Sequence, residues 1–203
     1  MRKSLLFLLV VAIAASGRYA IAQEGLPSAV AENISAAEKG DAKAQLNLGR
    51  RFYFSRGLPQ DYEKAATWFL KAAEQGNAEA QWYIGQLYYR GEGVLRDFGQ
   101  ARNWFERCVD LEFAECYSTL GKMYWSGHGV PVNFEKAKNL FVAGAKRGNS
   151  WAFWALGQVY IAGDGVPKNN AKGLEYFSRG AQREGLLSIL ALGDAYKEGV
   201  IVG

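Results

Sequence analysis

The chain has 203 residues, with 24 Lys+Arg against 20 Asp+Glu, one His, two Cys, and 24 Gly beside 4 Pro. A composition of 49% hydrophobic and 22% charged residues excludes a disordered chain and an integral membrane protein, and the length holds one or two domains with a sizeable core. One His and two Cys exclude a Cys/His zinc cluster and a two-His metal site, while glycine, at about 12% against a usual value of about 7%, demands a geometric reason.

In chain order, Arg2 and Lys3 come first, then an apolar run from Leu5 to Ala15, then Ala20-Ile21-Ala22 with small residues flanking a cut. This predicts a secretory signal peptide over residues 1–22. The run is too short for a bilayer, which takes about 20 helical residues, and no Cys at the cut offers a lipid anchor. The expected location is therefore periplasmic or secreted, without membrane insertion after cleavage. Removing Arg2, Lys3 and Arg18 and no acid takes the formal charge from +4 to +1. Nucleic-acid binding loses its electrostatic basis with it.

The rest of the chain is periodic. Gly49, Gly85, Gly121, Gly157 and Gly193 are 36 apart each time, each preceded by an apolar residue (Leu48, Ile84, Leu120, Leu156, Leu192). Three places after each glycine comes an aromatic: Phe52, Tyr88, Tyr124, Tyr160, Tyr196. Further columns hold Gly57, Gly93, Gly129 and Gly165; Gly91, Gly127, Gly163 and Gly199; and Gly40, Gly76 and Gly148. Sixteen of the 24 glycines fall in these columns, so the excess reports architecture.

Each unit predicts two antiparallel helices. The first runs from about Ala78 to Tyr89, with Trp82, Gly85, Tyr88 and Tyr89 at helical spacing. Gly91 and Gly93 stop it, since glycine enters the left-handed backbone region of a C-cap freely. Asp97 then caps the second helix, with Gln100 completing a capping box and Ala101, Trp104, Phe105 and Cys108 on one stripe. The recurrent mid-helix glycine predicts that the two helices touch there, too close for a β-carbon. One pair cannot bury both its faces, so the units stack into an all-α solenoid. The chain is cut out of phase: an N-cap helix over 27–39, four pairs across about 41–184, and a terminal unpaired helix over 187–197, all within a solenoid of residues 23–203.

The pattern Leu48-Gly49, Asp61, Lys64-Ala65, Trp68-Phe69 and Lys71-Ala72-Ala73 resembles the Sel-one-like repeat, a relative of the tetratricopeptide repeat. The resemblance covers residues 29 to 200. It implies a right-handed superhelix and an adaptor that assembles or regulates other proteins. Ser55 and Leu58 stand where family glycine and valine are expected, so the first loop is expected to be distorted.

Cys108 and Cys116 span the turn between two units. Their equivalents, Ala36/Ala44, Ala72/Ala80, Gly144/Ala152 and Gly180/Ser188, are all small, which predicts two columns at close range and a structural disulfide. Two buried free thiols fit the same columns. The spacing also resembles that of the cysteine-rich, secreted branch of the family.

The residues point to no catalysis, cofactor or metal. His128, the only histidine, sits in the Gly127-His128-Gly129 turn as an expected exposed loop residue with no triad partner. No Ser is followed three places later by Lys, and the Gly-x-Gly turns lack the third glycine of a dinucleotide site. Recognition is left to the first helices, where the columns of residues 43, 47, 50 and 54 share a face. If first helices line the inner wall, as the resemblance implies, this stripe is a concave groove for a protein or peptide. The expected contact residues are Trp151, Tyr83, Arg90, Lys122, Gln86 and Gln158, with Trp151 foremost because its column otherwise holds Lys43, Glu79 and Glu115. The alternative reading is a cell-wall-associated enzyme or penicillin- or muropeptide-binding protein.

Overall fold

The computed structural model describes residues 27–197, so the expected signal segment and residues 198–203 lie outside it. The described residues form ten α-helices: α1 (Ser28–Glu38), α2 (Ala42–Tyr53), α3 (Tyr62–Glu74), α4 (Ala78–Arg90), α5 (Phe98–Asp110), α6 (Ala114–Ser126), α7 (Phe134–Lys146), α8 (Ser150–Ala162), α9 (Asn170–Ala181) and α10 (Leu186–Lys197). Helices α2/α3, α4/α5, α6/α7 and α8/α9 pair, and each pair rests on the next in sequence, the layout of an α-solenoid.

The glycine column holds each pair together. A β-carbon at Gly49 would come 2.6 Å from the Phe69 ring, one at Gly85 2.5 Å from Phe105, and one at Gly121 2.5 Å from Phe141. Gly157 meets Phe177 in the same way. Each phenylalanine of a second helix thus lies flush on the backbone of its first helix, and all four rings are almost fully buried.

Capping residues set the helix ends. Asn77, Asp97, Asn133, Asn149 and Asn169 each accept the N–H of the residue three places on. The expected capping box is only half formed. Gln100 donates its backbone N–H to Asp97 at 2.9 Å, but the Asp97 N–H donates to the Tyr88 carbonyl, closing the loop to the first helix. The expected distortion at Ser55 and Leu58 does not occur either. Ser55 adopts φ 56°, matching Gly91 at 74°, its hydroxyl donates to the Leu58 carbonyl at 3.3 Å, and Leu58 is buried. The loop keeps its shape at the expense of a left-handed serine.

Cys108 and Cys116 are at disulfide distance, with α-carbons 6.0 Å apart. The equivalent columns are equally close, since a β-carbon at Gly144 would sit 3.4 Å from that of Ala152. The turn between the cysteines departs from its neighbours in the series, as does the turn before α10, where Glu184 takes φ 58° and Gly185 stands at the cap position. Glu112 takes φ 59° where Gly40, Gly76 and Gly148 stand elsewhere, and Phe113 supplies no side-chain cap where Asp41, Asn77 and Asn149 do. The cysteine pair therefore spans one of the two turns that lack both local stabilisers.

Candidate interaction surface

A ladder of side chains ties successive units at the loop end of the first helices. The Tyr53 hydroxyl donates to Glu92, the Tyr89 hydroxyl shares a hydrogen bond with His128 Nδ1, and the Trp125 indole donates to Asp164 at 2.6 Å. Each rung joins residues 39 apart: the last turn of one first helix and the middle residue of the next unit's Gly-x-Gly turn. His128 is exposed, as expected of a loop residue, yet it is held: its ring stacks on Phe98 at 5.5 Å with an interplanar angle of 10°. Burial pushes the Tyr53 and Tyr89 hydroxyls above the usual phenol range, with the Arg90 guanidinium pulling both the other way.

Arg90 and Lys122 stand on this ladder, both exposed. Arg90 donates to the Tyr53 hydroxyl at 3.2 Å and lies 3.8 Å from Glu92, and the Lys122 ammonium sits 5.7 Å from the centre of the Tyr89 ring. Gln86 is half-buried and donates to Thr119 at 3.4 Å. Tyr83 is only 7% exposed: it stacks face to face on Phe69 at 4.5 Å and lies edge-on to Phe54. Burial raises its hydroxyl pKa too. Trp151 is half-buried, edge-on to Phe141 at 5.7 Å and beside Trp154 at 5.4 Å, so it packs between repeats. Gln158 lies apart, in a cleft of about 300 Å³ with Trp154, Leu187 and Leu190.

The expected row is thus split. Arg90, Lys122 and Gln86 share one surface, Tyr83 lies beneath it, and Trp151 and Gln158 belong to the C-terminal half. Phe54, absent from the expected contacts, shares the Arg90 column and is 42% exposed, with the Arg56 guanidinium 4.8 Å above its ring. An aromatic in a column otherwise of Arg90, Ser126 and Ala162 was the signal for it. Among the described residues, no three His, Cys, Asp or Glu side chains gather as a metal site, and no helix is long and apolar enough to cross a membrane.

No curated protein matches the sequence. Among solved structures, the chain is similar to c5321, a protective antigen present in uropathogenic Escherichia coli strains and displaying an SLR fold. The two share 30% identity at a TM-score of 0.70, over 84% of this chain but only 36% of that one. A Sel1 repeat protein from Oxalobacter formigenes aligns at 24% identity and TM-score 0.73, over 84% of this chain and 76% of its own. The immunity protein Pa5087 from Pseudomonas aeruginosa shares the fold at 19% identity and TM-score 0.56, over 78% of this chain and 59% of its own. The Sel1 repeat family model matches residues 42–77, 78–111, 114–149 and 154–184. With four matched repeats that coincide with the helix pairs and their Gly–Phe contacts, the chain belongs to the Sel1 repeat family, whose members are generally protein-interaction scaffolds.

Proposed function

We propose that this protein is an exported, non-catalytic scaffold that binds a segment of another protein along the face of its first helices. The observation that carries the reading is the row Phe54, Arg90 and Lys122, one exposed residue from each of three successive units, two of them on the inter-repeat ladder. An aromatic and two cations suit an extended segment with a large apolar side chain followed by acidic residues. Gln86 adds an amide beside them and Tyr83 supports the row from below, while Trp151 and Gln158, in the C-terminal half, lie apart from it. The signal-peptide pattern and the cysteine pair at disulfide distance support a periplasmic or secreted location. Similarity to an antigen agrees with an exported protein. No observation favours the cell-wall enzyme: the only histidine has its Nδ1 engaged by Tyr89.

Site-specific photo-crosslinking in the native envelope tests this reading. Crosslinkers at residues 54, 90 and 122 are expected to trap the same protein, and trapping from residue 54 is expected to be lost in Arg90→Ala/Lys122→Ala, while a crosslinker at residue 103 on the opposite helices traps none. Equal trapping from residue 103, or none from the row, overturns it.

A further inference from the structure

The second helices carry one column in which α7 differs from α3, α5 and α9. Trp68, Trp104 and Tyr176 stand in it on those three helices, and Leu140 stands in it on α7. Trp68 and Trp104 are buried, and each has a cation above its ring, Lys71 at 4.2 Å from the centre and Arg107 at 4.4 Å. Tyr176 stacks on Tyr160 at 5.6 Å with an interplanar angle of 10°, and the Lys172 ammonium lies 4.4 Å from the centre of the Tyr160 ring. On α7 the lysine and the tyrosine recur: Lys136 lies 4.1 Å from the centre of the Tyr124 ring and donates to its hydroxyl at 2.7 Å. The second ring does not recur, and Ala143 stands in the column of Lys71, Arg107 and Arg179. Among the described residues, a cleft of about 370 Å³ opens where leucine stands in for the ring, lined by Leu140, Lys136, Glu135, Asn133 and Asn139. The Asn133 Oδ1 accepts the Lys136 backbone N–H at 2.8 Å, so its amide N–H groups are what it offers to a ligand.

We propose that this cleft binds a free aromatic α-amino acid. Its volume is that of a small-molecule site, and its floor is the leucine at the position where the sister units keep a ring. The ring of the ligand takes that place, over Leu140 and beside the Lys136–Tyr124 pair, as Tyr176 does beside Lys172 and Tyr160. The rim supplies a partner for each charge of the ligand: the Lys136 ammonium for its carboxylate and the Glu135 carboxylate for its ammonium. The Asn133 and Asn139 amides add donors and acceptors beside them. A ring compound with an anionic group alone would set that charge against Glu135 as well as Lys136, so the zwitterion fits better. The site lies on a second helix, away from the row of first-helix residues, and does not rest on the protein-binding reading.

The probe is L-tryptophan, added to the full-length protein and followed by calorimetry and amide NMR. It is expected to shift the signals of residues 133–140 and to bind at least about tenfold more weakly to Leu140→Trp, whose ring fills the cleft. Trp68 and Trp104 occupy the same column, so Leu140→Trp is expected to keep the circular dichroism and melting temperature of the parent. Glu135→Gln/Lys136→Gln, at two exposed positions, is expected to weaken binding about fivefold. N-acetyl-tryptophanamide, which has the ring and neither charge, is expected to bind the parent just as weakly. Arg90→Ala/Lys122→Ala is expected to leave tryptophan binding unchanged, which separates this cleft from the row on the first helices. Three results overturn the proposal: no binding, binding that ignores Leu140→Trp or the double substitution at 135 and 136, or equal binding of tryptophan and its blocked amide, which assigns the cleft to an aromatic side chain of a polypeptide.

Discussion

The ring of Phe105 lies against the backbone of Gly85, and a β-carbon on residue 85 would come 2.5 Å from the nearest ring carbon. Glycine in mid-helix costs about 1 kcal/mol relative to alanine, yet the column keeps it because the ring fills the space that alanine needs. Gly85→Ala is expected to lower stability by about 1–2 kcal/mol, overpacking outweighing the gain in propensity. Gly193→Ala, with nothing within 4 Å of the new β-carbon among the described residues, is expected to raise it by about 0.5–1 kcal/mol. Urea denaturation of the pair decides: equal effects would show that the ring contact is irrelevant.

The turn at Glu112 and Phe113 lacks glycine and cap, each worth about 1 kcal/mol, and lies inside the loop closed by Cys108 and Cys116. A bridge over so short a loop stabilises by about 2.5 kcal/mol in the loop-entropy account, enough to offset both losses. Cys108→Ala/Cys116→Ala, which reproduces the Ala72/Ala80 pair, is expected to fold with about that loss. Titration of the denatured, unreduced protein is expected to find no free thiol, and two thiols per chain would show the pair reduced.

The Trp125–Asp164 rung predicts a measurable coupling between units. Trp125→Phe removes the indole donor and leaves a ring against Phe141, so the expected loss is about 1 kcal/mol. In a double-mutant cycle with Asp164→Ala the two losses are expected not to add. Strict additivity would reduce the rung to a geometric coincidence.

Acid sensitivity is expected at Asp61, the cap of α3. Burial on its own pushes this carboxyl up, but the Lys64 ammonium at 2.8 Å and the Lys64 N–H at 2.9 Å outweigh it and hold the value below the usual carboxylate range. A depressed folded value means that the contribution is present above the unfolded value of about 3.9 and is lost as pH falls through the folded one. Asp61→Asn, which keeps an acceptor at the cap, is expected to flatten that part of the melting-temperature profile below about pH 4. An unchanged profile would remove Asp61 as a source of the acid sensitivity.

Export carries its own signature. Intact mass of the protein from the native periplasm or medium is expected to begin at Gln23, without Arg2, Lys3 and Arg18. A cytoplasmic chain that retains Met1 would contradict it.

The period of 36 made most of the architecture legible, because identical columns must repeat the same local geometry: helix, left-handed turn, cap, helix, with glycine under phenylalanine. The small-residue columns likewise put Cys108 opposite Cys116, since a side chain in one of them leaves little room in the other. A single column, however, does not state its neighbours in the adjacent unit. Tyr83 and Phe54 both lie on the expected stripe, and only three-dimensional contact with Phe69 buries the first while the second stays open. Trp151 stands in a column of charged residues, but Phe141 and Trp154 take up its ring. The rungs from Tyr89 to His128 and from Trp125 to Asp164 escape the register as well, because they connect two different columns across a unit boundary. Repetition within the chain thus determined which elements form and pair. The exposure of each residue on the expected stripe was decided by the stacking of one unit on the next, where side chains from different columns compete for the same space.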